Sequence, residues 1–111
     1  MILLPKNLNP ESLGLKHVWF EQLLNSFTKH PEIDAVIVYG SRAKGNYHDR
    51  SDLDLAFKGQ FDRHQLSRIK LDLEETDLPI GFDVLKYEDL KNVLLKDHID
   101  RVGVQIYPYI N

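Results

Sequence analysis

Apolar residues recur along this chain with two different periods, and the alternation between them predicts its elements. Leu15, Trp19, Leu23 and Phe27 stand four apart, with Phe20 and Leu24 beside them. That spacing lays one apolar stripe along a helix. Asn9-Pro10 predicts where the helix starts, since Asn caps a helix N-terminus and Pro suits the first helical position, where an N–H is unpaired anyway. His30-Pro31 predicts its end, because the residue before a proline is pushed out of the helical region.

Ile33 to Tyr39 (IDAVIVY) is short, β-branched and almost wholly apolar, the pattern of a buried central strand. Asp52 to Lys58 (DLDLAFK) alternates instead. Leu53, Leu55 and Phe57 face one way, and Asp52, Asp54 and Ala56 face the other. Asp62 with Gln65 predicts a capping box that opens a second helix, buried on Leu66, Ile69 and Leu73. After a turn at Thr76-Asp77-Leu78-Pro79, Ile80 to Tyr87 (IGFDVLKY) predicts a third strand. A third helix is expected from about Glu88 to Arg101, buried on Leu90, Val93 and Leu94, with Gly103 as a left-handed C-terminal stop. Val104 to Tyr107 would add a short final strand. Alternating helix and strand patterns place the chain in the α+β class with an α/β-like order: a small sheet flanked by helices.

Composition narrows the picture. The 111 residues suit one domain, with a core over about residues 10–107. A 42% hydrophobic and 28% charged composition excludes a disordered chain. The absence of cysteine excludes disulfides, thiolate metal sites and cysteine nucleophiles. No apolar run is long enough to span a bilayer, and Met1-Ile2-Leu3-Leu4-Pro5 is too short for a signal peptide, so a cytoplasmic protein is expected. A net charge of −3 argues against direct nucleic-acid binding, which usually needs a basic patch.

Two features stand out chemically. Gly40-Ser41-Arg42-Ala43-Lys44-Gly45 follows the apolar strand directly. A glycine there lets the backbone turn sharply, a helical turn would aim N–H groups at one point, and Ser41, Arg42 and Lys44 add a hydroxyl and positive charge. These are the properties of a phosphate site, although a plain turn accounts for a lone glycine-serine pair. Asp52-Leu53-Asp54 then places two carboxylates on one strand face, about 7 Å apart, where they repel unless a cation lies between them. Mg²⁺ is the natural choice, since it takes oxygen ligands and leaves positions for phosphate and water. A solvated strand end is the bland alternative. Asp83 tips the balance, as an acid inside an apolar strand where burial would be costly unless it were paired or metal-bound. A helical crossover from the second strand to the third can set Asp83 beside Asp52 and Asp54.

Gly40-Ser41, ten residues, then Asp52-x-Asp54 resembles the signature of the polymerase beta nucleotidyltransferase superfamily. The string GSRAKGNYHDRSDLDLAF over 40–57 is most similar to the minimal nucleotidyltransferases, small proteins paired with a HEPN-domain partner, often as the antitoxin of a toxin–antitoxin pair. The likeness continues through Asp83 to the ending HIDRVGVQIY over 98–107. It implies a small mixed sheet flanked by helices. Gly40 and Ser41 would grip the phosphates of ATP or another nucleoside triphosphate, with a weaker assignment for Arg42 and Lys44. Asp52 and Asp54 would bind two Mg²⁺ ions. Asp83 would share one of them and help to activate the attacking hydroxyl. The reaction implied is transfer of a nucleoside monophosphate, AMP from ATP, to a tyrosine of a HEPN toxin. A non-catalytic antitoxin that neutralises by complex formation, and an enzyme acting on a small antibiotic-type hydroxyl, are the alternatives. The length leaves little room for an acceptor-binding domain, so acceptor recognition is expected from another polypeptide.

Other residues have plainer readings. The five histidines, 17, 30, 48, 64 and 98, share no metal-ligand spacing. His48 lies in the loop between Ser41 and Asp52 and reads as solvated. Trp19 reads as core or a partner surface. Asp72, Glu74, Glu75 and Asp77 read as a solvated helix face and turn. Tyr107 and Tyr109 are expected to pack on the sheet, with self-modification as the alternative.

Overall fold

The computed structural model describes residues 8–108, so Met1–Pro5 and Tyr109 lie outside the described residues. The sheet has four strands: β1 (Ile33–Tyr39), β2 (Leu53–Gly59), β3 (Phe82–Lys86) and β4 (Val104–Tyr107). They lie in the order β3-β2-β1-β4. β1 pairs antiparallel with β2 and with β4, while β2 and β3 run parallel, so the sheet is mixed. The helices are α1 (His17–Thr28), α2 (Gly40–Lys44), α3 (Arg63–Glu74) and α4 (Val93–Val102). α3 is the crossover that parallel pairing demands.

The alternation along the strands sorts residues into two cores. Val36, Val38, Leu53, Leu55, Phe57 and Ile106 face α1 and α3, meeting Phe20, Leu23, Phe27, Ile69 and Leu73. Phe27 sits edge-on to both Phe57, at 5.7 Å between ring centres, and Tyr107, at 5.4 Å. His30 ties the end of α1 to α3 through Asp72, 2.6 Å from its Nε2. The opposite face carries a second core of Ile37, Tyr39, Ala56 and Ile99, covered by α4. The face that bears the aspartates is therefore half covered, and Ala56 is wholly buried there.

β1 has the expected bounds, and the Asp62–Gln65 capping box forms in both directions. Three expectations fail for identifiable reasons. The first helix does not run from Asn9. Asn9 does cap a turn, accepting from Glu11 N, but that turn is a 3-10 helix over Pro10–Leu13, and Gly14 ends it in the left-handed region at φ 72°. α1 then begins afresh at His17, so Leu15 belongs to the core but not to the helix.

The last helix begins later than expected, because the Asn92 side chain accepts from Leu94 N and Leu95 N and fixes the start there. Its buried face is set by Ile99, while Val93 and Leu94 are 77% and 81% exposed. Gly103 adopts extended backbone, φ −62° and ψ 144°, rather than the left-handed region. Its lack of a side chain serves packing: a Cβ there would collide with Ile99 O and lie 2.6 Å from Ile37 Cγ2.

Candidate active site

The end of β1, the start of β2 and the start of β3 meet at one edge of the sheet, and the three aspartates stand there. Asp54 is in direct register with Asp83 across the parallel β2–β3 pair. It is also in register with Tyr39 across the antiparallel β1–β2 pair. Asp52 precedes β2, whose first residue is fixed by Leu53 N donating to Gly81 O at 2.9 Å. Asp52 and Asp83 are exposed and Asp54 is half-buried. The argument that Asp83 is a buried acid is thus corrected: β3 is an edge strand, and it is Asp54 that burial penalises.

Two glycines make room for these carboxylates. Gly40 has φ +74°, and a Cβ on it would collide with the Asp54 carboxylate. A Cβ on Gly81 would lie 2.6 Å from Asp52 Oδ1. The backbone therefore approaches both acids more closely than any other residue would allow. The electrostatics follow from this crowding. Burial pushes the Asp54 pKa up, and the like charges of Asp83 and Asp52 push it further, against opposition from Arg42. Burial also raises the Tyr39 hydroxyl, helped by Asp83 and Asp54.

The turn after β1 is the five-residue α2. Gly40 opens it, and Gly45 closes it in the left-handed region at φ 86°, with Gly45 N donating to Ser41 O at 2.9 Å. Ser41 is half-buried at its start and Lys44 is exposed at its end. The Gly40 N–H is already engaged, donating to His98 Nε2 at 3.2 Å.

Arg42 does not reach solvent at this turn. It is 1% exposed and is the largest fully buried side chain among the described residues. Its Nε and Nη2 donate to Ser51 O at 3.1 and 2.8 Å, and Nη1 donates to Leu13 O and Gly14 O at 3.0 and 3.1 Å. Tyr47 packs on the guanidinium face at 5.2 Å. The fork thus pins the loop before Asp52 to the 3-10 turn near the N-terminus. Trp19 is half-buried on the wall of a nearby hollow of about 510 Å³ that Arg42, Tyr47 and Pro79 also line.

Sequence reasoning missed His98. Set among five scattered histidines it offers no spacing signal, because its partner is a backbone N–H 58 positions away. A metal would find oxygen donors only. Among the described residues no group of three or more His, Cys, Asp or Glu already stands in a metal-holding arrangement. The chemistry of the set still fits a hard divalent cation: two registered carboxylates and a third beside them, mutually repelling, with no Lys or Arg among the described residues in a salt bridge to any of them.

This geometry agrees with what comparison finds. The family model for polymerase beta nucleotidyltransferases matches residues 21–109. The chain belongs to the polymerase beta nucleotidyltransferase family, a family of transferases. Several solved structures share its fold. A toxin–antitoxin complex with AMP-PNP is 18% identical, at a TM-score of 0.67, over 79% of this chain and 72% of that one. The MntA–HepT toxin–antitoxin is 14% identical, at 0.62, over 83% and 72%. A protein provisionally assigned as a minimal nucleotidyltransferase is 27% identical, at 0.61, over 90% and 98%. No curated protein matches the sequence significantly. No helix among the described residues is long and apolar enough to cross a membrane.

Proposed function

We propose that this protein transfers a nucleoside monophosphate, AMP from ATP, to a hydroxyl of a partner protein, a tyrosine of a HEPN-type toxin, and so acts as the antitoxin. The observation that carries this reading is the in-register pairing of Asp54 and Asp83 beneath a glycine whose missing side chain admits the Asp54 carboxylate. Uncompensated acids held together cost stability, so their retention beside a serine turn favours a use in catalysis. The fold shared with toxin–antitoxin complexes, one holding AMP-PNP, supports the choice of nucleotide and partner.

Asp52, Asp54 and Asp83 would hold two Mg²⁺ ions, which when bound neutralise triphosphate charge and hold the reacting oxygens in line. The Ser41 hydroxyl donates to a phosphate oxygen, and Lys44 supplies a mobile positive charge. Gly40 contributes space and turn geometry, since its own N–H is engaged. The acceptor oxygen attacks the α-phosphorus, forming one P–O bond as the bond to the bridging oxygen breaks and pyrophosphate leaves. An Asp83 carboxylate oxygen, exposed toward solvent, takes the hydroxyl proton. Arg42 acts at a distance by fixing the loop that carries Asp52.

The test combines the purified protein, a HEPN-type protein as acceptor, Mg²⁺ and each labelled nucleoside triphosphate, and locates the label by mass spectrometry. Label from ATP on a partner tyrosine is expected, lost in the Asp52→Asn/Asp54→Asn double variant. Transfer unchanged in that variant would overturn the site. A partner neutralised equally well by the variant would mean inhibition by covering alone.

A further inference from the structure

We propose that His98 is a positioning residue, whose ring nitrogen sets the angle of the Gly40–Ser41 turn over the aspartates. Gly40 is gripped from two sides. Its bare α-carbon abuts the Asp54 carboxylate, and its N–H donates to His98 Nε2 at 3.2 Å. The His98 ring also stands edge-on to Tyr39, the residue before the turn, at 6.2 Å and 82°. A ring nitrogen that accepts carries no proton, so His98 is neutral here with its proton on Nδ1, an assignment made from the donor.

The ring reaches Gly40 because α4 is tightly seated. Ile99 is 1% exposed against the second core, and Gly103 lets the last turn of α4 close onto Ile37. His98 directly precedes the buried Ile99 on this helix. A side chain fixed in this way locates a backbone turn better than a loop contact would. α4 is thereby more than a cover for Ile37 and Ala56: it transmits its own position to the phosphate-facing turn. Misplacing a reacting group by about 1 Å can cost a hundredfold in rate, so a single hydrogen bond at this turn has large leverage.

The kinetic part rests on the nucleotidyltransferase reading, and the structural part does not. The test compares His98→Gln, whose side-chain oxygen reaches the place of Nε2, with His98→Leu, which keeps bulk but accepts nothing. Three quantities are measured on the full chain: thermal stability, exchange of the Gly40 amide hydrogen by NMR, and Mg²⁺–ATP-dependent transfer. Gly40 exchange should accelerate about tenfold or more in the Leu variant and stay near wild type in the Gln variant. kcat/KM for the nucleotide should fall at least about tenfold in the Leu variant, with recovery in the Gln variant. Equal Gly40 protection in all three proteins overturns the proposal, whether or not the protein transfers nucleotide. So does full kcat/KM in the Leu variant of an active enzyme. An inactive wild type with the exchange pattern intact refutes the enzymatic reading and leaves the positioning role standing.

Discussion

Asp54 and Asp83 face each other as registered neighbours across the parallel β2–β3 pair. Two carboxylates so placed repel, and Asp52 adds a third charge that raises the Asp54 pKa further. The sign of the consequence is fixed. A carboxyl whose folded pKa lies above its unfolded value binds its proton more tightly in the folded state. The stability tied to that proton is present at low pH and falls as pH rises through the folded pKa. In EDTA, Asp54→Asn should therefore melt above the wild type at pH 7.5, with the gap closing toward pH 4. Added Mg²⁺ should raise the wild-type Tm at pH 7.5 and leave the variant nearly unmoved. A variant that melts lower at pH 7.5 without metal would refute the repulsive arrangement. Thermal melts over a pH series check both.

Gly40 and Gly45 both sit in the left-handed region, yet they have different surroundings. A Cβ on Gly40 would strike Asp54, whereas a Cβ on Gly45 would meet nothing within 4 Å. Each alanine substitution should cost about 1–2 kcal/mol from backbone strain alone. Only Gly40→Ala should also displace the Asp54 carboxylate and abolish nucleotide transfer. Gly45→Ala should lose stability and keep most of its activity. Urea melts beside transfer assays separate the two effects.

Arg42 shows where the sequence misleads. Lying between Ser41 and Lys44, it reads as a third phosphate contact, but its guanidinium is buried against three backbone carbonyl groups. Replacing it with Met would leave those acceptors unsatisfied and cost about 2–4 kcal/mol. Arg42→Lys should recover little, since one ammonium cannot span Ser51, Leu13 and Gly14 as a planar fork does. A phosphate role alone would instead leave the urea midpoint unmoved.

The same contrast explains what could be read from the residues in order. The bounds of β1 and β4 and the Asp62–Gln65 cap depend on neighbours in sequence, and there pattern and structure agree, while β2 and β3 are displaced by one or two residues. The spacing from Gly40 to Asp54 marked the family for the same reason. The destination of Arg42 depends on Leu13 and Gly14, 29 and 28 positions away, and the role of His98 depends on Gly40, 58 away. No local periodicity encodes such contacts. Gly14 stands just before the stripe that Leu15, Trp19 and Leu23 begin, and no neighbour in sequence marks it, since its place is set by the Arg42 and Tyr47 side chains that fill the position of a Cβ there.

α4 gives the sharpest test of burial against pattern. Val93 and Leu94 open the helix and look like its apolar face, but capping by Asn92 starts the helix with both in solvent. Ile99 instead fills the space over Ile37 and Ala56. Val93→Ser and Leu94→Ser should each change stability by less than about 0.5 kcal/mol, as surface substitutions do. Ile99→Ala should cost about 2–5 kcal/mol, the range for emptying a filled core site. The Ile99 variant should also loosen the seating of α4 and with it the His98 contact to Gly40. Its activity should then fall by more than its stability at the assay temperature accounts for, whereas the two serine variants should keep their intrinsic transfer rate. Paired urea midpoints and initial rates for the three variants decide it, and an Ile99→Ala protein that is folded and fully active would break the link between α4 and the site.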